Sequence, residues 1–152
     1  MYRKSLFERG FMYYWTGLGM LIGRICLSTI FILAGVGKFM DPAGTSAYMA
    51  AKGMTMVPFF LYAAALVEIC GGLSLLLGFK ARWGGLLLLL FLIPVTYIFH
   101  DFWNSDPAGK QEQMIMFLKN LAIFGGLFYV FSTGAGPLAF DAWCCKGERK
   151  SP

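Results

Sequence analysis

The chain has 152 residues, of which 58% are hydrophobic and only 14% are charged. Soluble domains carry about 25% charged residues, so this composition argues against a soluble globular protein. The formal net charge is +5, but the basic residues lie in short tails and loops rather than along one stripe, which argues against nucleic-acid binding.

Four apolar segments follow one another along the chain, and each is long enough to cross a bilayer as a helix. One crossing needs about 20 apolar residues. The predicted spans cover about residues 16–39, 57–79, 83–99 and 113–132. The first segment exceeds the roughly 7–15 apolar residues of a signal peptide, and no convincing cleavage site follows it, so we predict a retained helix. The sequence thus predicts a single all-α transmembrane domain over residues 1–152.

The connections between the spans carry turn signals. Asp41-Pro42-Ala43-Gly44 interrupts the helix after the first span, and residues 48–53 could form a short interfacial helix. The basic turn at residues 78–82 is so short that the second and third spans must be antiparallel neighbours. A polar loop over residues 100–112 precedes the fourth span. These connections predict a membrane four-helix bundle with up-down-up-down topology.

The basic residues predict how the bundle is oriented. Eight lie on one side of the membrane and three on the other, counted over the tails and loops. Because cytoplasmic loops carry an excess of Lys and Arg, both termini and the tail at residues 133–152 are expected in the cytoplasm. The eight are Arg3, Lys4, Arg9, Lys80, Arg82, Lys146, Arg149 and Lys150; the three are Lys38, Lys52 and Lys110.

Two ionisable residues lie deep in the first two spans. Counted from the cytoplasmic ends of the predicted spans, Arg24 is roughly 12 Å deep and Glu68 roughly 16 Å deep. A charge at the bilayer centre costs roughly 2.5–3.5 kcal/mol, so such residues usually pair inside the bundle. The sequence predicts an intramembrane ion pair between Arg24 and Glu68. This pair could fix helix register alone or contribute to a ligand site, and both interpretations stay open.

A second polar group is predicted near the opposite surface. Lys38 ends the first span, His100 and Asp101 follow the third, and Lys119 and Asn120 lie one to two turns into the fourth. Donors that converge at one level suit a carbonyl, phenolate or anionic group, so we predict a ligand-binding site of Lys38, His100, Lys119 and Asn120. Snorkelling at the interface is the alternative for Lys38, and a solvated helix end is favoured for His100 and Asp101.

The sequence gives little indication of cysteine chemistry or metal binding. The four cysteines show neither C-x-x-C nor zinc-ligand spacing, and we predict no metal site. Cys26 and Cys70 fall at similar depths but are expected to be small packing residues rather than a redox pair. Cys144 and Cys145 lie beyond the last span, where a reducing cytoplasm would keep them as thiols; their role is left open.

An ordered set of motifs resembles the DoxX family of bacterial membrane proteins, over about residues 23–136. The resemblance implies a four-helix bundle in the bacterial inner membrane. It also implies a relationship to the small membrane subunit associated with thiosulfate–quinone oxidoreduction. The tail with Cys144 and Cys145 lies outside the family pattern. The motifs are Arg24, Gly35-Val36-Gly37-Lys38-Phe39, Gly53, Glu68-Ile69-Cys70-Gly71-Gly72, Leu77-Gly78-Phe79-Lys80-Ala81-Arg82, Phe99-His100-Asp101-Phe102 and Phe117-Leu118-Lys119-Asn120-Leu121.

Three functions fit these observations, and no catalytic residue is assigned. The leading hypothesis is a membrane subunit of a redox system that binds a quinone or similar lipid-soluble ligand, because apolar walls with a few donors suit such a molecule. Haem ligation by paired histidines is excluded, since the chain has one His. The second is a non-enzymatic assembly factor or partner-binding module, with a membrane or cytoplasmic protein or a second copy as partner. A small-solute transporter is less favoured, because no inverted repeat is visible.

Overall fold

Four long helices make up most of the structure, a computed structural model that describes residues 6–144. They are α1 (Leu6–Met40), α3 (Val57–Leu77), α4 (Ala81–Phe99) and α5 (Pro107–Thr133). Two short helices, α2 (Pro42–Ala51) and α6 (Phe140–Cys144), follow α1 and α5. Each long helix contains a stretch that is long and apolar enough to cross a membrane. The predicted all-α four-helix membrane bundle is confirmed, and no strand occurs within residues 6–144.

The helices α1, α2 and α5 begin earlier than the sequence predicted, and α2 and α5 begin with the same capping pattern. The Asp106 carboxylate accepts a hydrogen bond from the Gly109 amide at 2.8 Å, and a proline follows at the first helical position. Asp41 likewise accepts from the Gly44 amide at 2.9 Å and starts α2. An Asp cap followed by Pro is a strong helix start. Residues 42–44 of the predicted turn and residues 107–112 of the predicted loop are therefore corrected to helix.

The helices pack in chain order around one apolar core. The contacts run mainly from α1 to α3, from α3 to α4 and from α4 to α5, whereas α1 touches α5 only sparsely. Leu75, Leu88 and Leu127 are fully buried where α3, α4 and α5 meet. Close approach of α1 and α3 requires glycine, because a Cβ built at Gly35 would lie only 2.9 Å from the carbonyl oxygen of Ala65. This contact sets the register of the two helices.

The bundle has two distinct ends. One end, which we call the α2 end, contains the α1–α3 connection with α2 and the α4–α5 connection. The two connections are joined there by the contact of Lys52 with Asp101. At the other, the turn end, Gly78 ends α3 with a left-handed conformation (φ 69°). The short helix α6 is docked there, because the Asp141 amide donates to Gly78 O at 3.1 Å and the Lys80 amide donates to the Asp141 carboxylate at 2.9 Å.

The start of the predicted tail is thus an ordered part of the turn end. Several basic residues used for the topology prediction lie outside the described residues, as does Cys145, so the cytoplasmic placement of both termini stays a prediction. Those residues are Arg3, Lys4, Lys146, Arg149 and Lys150.

Candidate ligand-binding site

An ion pair between α1 and α3 is the most strongly built polar contact within the bundle. The Lys38 ammonium donates to both oxygens of the Glu68 carboxylate, at 2.7 Å and 2.9 Å. Glu68 is only 5% exposed, and the Lys38 side chain is about one-fifth exposed. Burying a carboxylate is costly without a partner, and this two-pronged contact supplies one.

A cavity of about 210 Å³ adjoins this ion pair at the α2 end. Lys38, Glu68 and His100 supply its ionisable groups. The remaining wall is largely apolar and aromatic, contributed by α2, α3 and α4: Met49, Ala64, Phe91, Val95 and Phe99 together with Thr45 and Tyr48. The cavity therefore combines an apolar interior with a small set of polar groups, which is the usual construction of a small-molecule site.

Helix α2 forms part of the wall and is held in place by two contacts. The Tyr48 ring stacks on the Phe99 ring with centroids 5.4 Å apart. Just beyond α2, the Lys52 ammonium donates to the Asp101 carboxylate at 2.6 Å. This hydrogen bond is the main reason that the pKa of Asp101 lies below its ordinary value. Both contacts connect the α1–α3 connection to the end of α4 and so keep α2 against the cavity.

His100 lies in the cavity wall one residue after α4 ends. Its Nδ1 is 3.2 Å from Oε1 of Gln113 on α5. When Nδ1 carries the proton and donates to Gln113, the neutral ring presents Nε2 as an acceptor. His100 thus combines a fixed ring orientation with one nitrogen that a ligand could use.

Arg24 is far from Glu68, so the predicted ion pair between them is replaced by a different arrangement. The Arg24 guanidinium donates to two backbone carbonyls at the turn end, Leu75 O at 3.2 Å and Leu138 O at 2.5 Å. Glu68 packs at the level of Gly35 on α1, which is eleven residues or roughly 16 Å of helix from Arg24. The depth estimate failed because it assumed that both spans start at one membrane level, whereas α1 begins far earlier, at Leu6.

The four predicted ligand residues lie in three places. Lys38 and His100 share the cavity. Asn120 is buried on α5, where its amide donates to the Thr96 hydroxyl on α4 at 3.0 Å. Lys119 is exposed on the outer surface of α5, with its ammonium 3.0 Å from the sulfur of Met116. The structure therefore brings together two of the four, and a ligand role for Lys119 and Asn120 stays a prediction.

The sequence missed that Glu68 belongs to the Lys38 cavity. One available signal was the pattern of small residues, because Gly35 on α1 and Ala65 on α3 mark the level at which these helices touch. Glu68 itself packs beside Gly35, and the long Lys38 side chain, one turn further along α1, reaches back to the carboxylate. The roles of α2 and Tyr48 had no comparable signal, since a short interfacial helix shows only weakly in sequence.

Metal-binding clusters and cysteine pairs do not stand out in the described part of the chain. No group of three or more His, Cys, Asp or Glu side chains within it could hold a metal ion. Cys26, Cys70 and Cys144 are exposed rather than buried. Cys26 and Cys70 therefore lie on the surface of the bundle and not in its core, where the sequence placed them as packing residues.

Comparison with known proteins identifies the family. The DoxX family model matches residues 19–101. "Inner membrane protein YqjF" of Escherichia coli is 38% identical over 125 residues, covering 82% of this chain and 90% of that protein. "Inner membrane protein YphA" of Escherichia coli is 31% identical over 122 residues, covering 80% and 87%. "Putative oxidoreductase CatD" of Bacillus subtilis is 32% identical over 133 residues, covering 87% and 91%. No solved structure matches the chain significantly.

The similarity extends over most of the chain and over nearly the full length of these relatives. Two of them are named as inner membrane proteins. The described structure has four helices that can cross a membrane. The chain therefore belongs to the DoxX family and is a multi-pass protein of the bacterial inner membrane.

Proposed function

We propose that this protein is a membrane subunit of a redox system that binds a quinone or a similar lipid-soluble ligand in the cavity of Lys38, Glu68 and His100. The observation that carries the proposal is the Lys38–Glu68 ion pair in the wall of an apolar cavity at the α2 end. Ionisable groups within membrane segments are expensive and usually mark a functional site.

The polar groups match the chemistry of a quinone head. A quinone carbonyl accepts hydrogen bonds, and the Lys38 ammonium has three N–H groups. Two of these N–H groups donate to Glu68. The third is directed at Ala34 O, which lies 3.5 Å from the ammonium nitrogen, a long contact, so this N–H can turn toward a ligand. The reduced form, a hydroquinone, carries O–H donors, which Glu68 or Nε2 of His100 can accept.

The size of the cavity suits a ring rather than a whole molecule. Sites for drug-sized ligands measure about 300–1,000 Å³, whereas this one measures about 210 Å³. A single quinone ring would fill it, and an isoprenoid tail would leave along the apolar helix surfaces into lipid. The oxidoreductase in the name of the Bacillus subtilis relative supports a redox context for the family.

The test measures quinone binding to purified protein in lipid nanodiscs. Decylubiquinone titrations should show saturable binding, which Lys38→Met weakens at least tenfold, because a hydrogen bond from a charged group contributes about 1.5–3 kcal/mol. A photoreactive azidoquinone should label peptides that contain Lys38 or His100. Lys119→Met removes the same charge outside the cavity and should change the affinity less than about twofold.

Two results would contradict the proposal. If neither benzoquinones nor naphthoquinones bind saturably, quinones are excluded as ligands of this cavity. Equal losses in Lys38→Met and Lys119→Met would show that the loss of positive charge alone, and not the cavity, lowers the affinity.

A second candidate function, a partner-binding module, is favoured by Lys119. This lysine is the thirteenth of 27 residues in α5 and is exposed on its surface. A charge that faces lipid at such a position costs about 2.5–3.5 kcal/mol, which a covering protein would relieve. A photo-crosslinking amino acid at Ile115, one turn away on the exposed surface, should capture a membrane protein or a second copy. Crosslinks to lipid alone would argue against this function.

A further inference from the structure

A second cavity, separate from the Lys38 site, lies between α1 and α5. It has a volume of about 480 Å³. Gly23 and Leu27 line it from α1, and Gly126, Tyr129 and Thr133 line it from α5. Because α1 and α5 touch only sparsely, the cavity is a groove on the side of the bundle that faces the membrane. Its dimensions and its glycine-lined walls suit an extended hydrocarbon chain.

Arg24 forms the polar part of this groove. The residue is 2% exposed, and its two terminal nitrogens donate to Leu75 O and Leu138 O. Its Nε is buried and has no hydrogen-bond partner among residues 11–144, whose side chains the structure describes. No carboxylate among these side chains lies within ion-pair distance of Arg24; Asp141 acts on it only at longer range. A buried guanidinium with an unmatched donor and an unpaired charge calls for an anionic acceptor.

The guanidinium lies at the level of the turn end rather than at the bilayer centre. A side chain built at Gly78, in the α3–α4 turn, would collide with Nη1 of Arg24. A second arginine lies beside the groove, because Arg82 donates to Thr133 O at 3.4 Å and Thr133 lines the groove. Two guanidinium groups near one membrane edge provide donors for a phosphate at headgroup level.

We propose that this groove binds an anionic phospholipid. One acyl chain lies along the glycine-lined faces of α1 and α5, and a phosphate oxygen accepts the hydrogen bond from Nε of Arg24, with Arg82 close by. The positive charge of Arg24 favours an anionic head over a neutral quinone carbonyl, and the opening between α1 and α5 admits a lipid from the side. This site is independent of the quinone cavity at the α2 end.

The experiment compares two lipids with the same acyl chains on the detergent-purified protein by native mass spectrometry. Phosphatidylglycerol should bind at least tenfold more tightly than phosphatidylcholine. The groove is blocked by Gly23→Leu, since a Cβ at Gly23 meets no atom within 4 Å and the side chain would grow into open space. This variant should lose at least tenfold in affinity for phosphatidylglycerol.

Matched variants keep the test decisive. Gly125→Leu makes the same change on α5, at a residue that is equally open but does not line the groove, and should bind within twofold of the wild type. Arg24→Gln should reduce the affinity for phosphatidylglycerol to that for phosphatidylcholine. If the Arg24→Gln variant does not fold, the result for Gly23→Leu tests the proposal by itself. Lys119→Met removes an exposed positive charge that does not line the groove, and it should bind phosphatidylglycerol within twofold of the wild type.

Three results would overturn the assignment. If the wild type binds phosphatidylglycerol and phosphatidylcholine equally tightly, the groove has no specificity for an anionic headgroup. Unchanged binding in Gly23→Leu places the lipid elsewhere. Displacement of phosphatidylglycerol by decylubiquinone at equimolar concentration would make the groove a quinone site instead.

Discussion

Removing both partners of the Lys38–Glu68 ion pair should destabilise the bundle less than the sum of the two single removals. Glu68 is 5% exposed and accepts two hydrogen bonds of 2.7 Å and 2.9 Å, so Lys38→Met leaves a buried carboxylate without its cation. Breaking a buried pair in this way costs about 3–5 kcal/mol, and the partial exposure of Lys38 places the expected loss near 3 kcal/mol. Glu68→Gln keeps the shape and should cost about 2 kcal/mol.

A double-mutant cycle isolates the interaction. The double variant Lys38→Met/Glu68→Gln should cost about 3 kcal/mol rather than the roughly 5 kcal/mol expected from the two losses taken separately, because no unpaired charge remains. The coupling free energy is then about 2 kcal/mol. The free energy of unfolding is measured in mixed micelles by raising the fraction of dodecyl sulfate and following helicity by circular dichroism.

Two further cycles serve as controls. Lys52 and Asp101 form a more exposed pair outside the long helices, and their coupling should be much smaller than that of Lys38 and Glu68 because solvent screens exposed charges. Arg24→Met and Glu68→Gln should be additive within about 0.5 kcal/mol, because the two residues are roughly 16 Å apart along the bundle. Coupling between Arg24 and Glu68, or additivity between Lys38 and Glu68, would refute the register of α1 against α3 described above.

Two more predictions concern packing and pH. Gly35→Leu should lose about 1–3 kcal/mol of stability in the same assay, because its Cβ would lie 2.9 Å from Ala65 O, whereas Gly37→Leu meets open space and should stay within about 0.5 kcal/mol. The pKa of Asp101 is held below its ordinary value of 3.8, mainly by the hydrogen bond from Lys52, so its carboxylate stabilises the fold above about pH 4 and this contribution is lost as the pH falls through the lowered pKa. Asp101→Asn should remove this part of the acid sensitivity, and an unchanged stability-against-pH curve would contradict it.

The sequence predicts the long helices well because hydrophobic length is a direct physical signal. The second span was predicted to begin at Val57 and the third to end at Phe99, and both helix ends are observed there. Apart from the start of α1, the helix starts that were misplaced by several residues are those where a polar residue caps the helix. Asp41 and Asp106 were interpreted as turn residues, although an Asp followed by Pro also forms an N-cap. Composition alone does not separate these two uses.

The candidate site was harder to predict because it depends on register. The sequence identified Lys38, His100, Arg24 and Glu68 as polar residues of interest but paired Glu68 with the wrong cation. Membrane level was counted from apolar boundaries, and α1 extends far beyond its apolar boundary. Which face of α5 turns inward also decides the outcome. Lys119 and Asn120 are separated by about 100° around the helix axis, which places Lys119 on the exposed surface and Asn120 in the core.

One register of α1 against α3 positions both polar sites. Gly35 packs against Ala65, and with this contact in place Lys38 reaches Glu68 while Arg24 reaches Leu75 O. A slide of one helical turn, about 5.4 Å, would break the ion pair and the arginine contacts together. The slipped bundle would then hold a buried carboxylate and a buried guanidinium without partners, at several kcal/mol each. The charged residues therefore select this register even without a ligand, and ligand binding can be tested separately from folding.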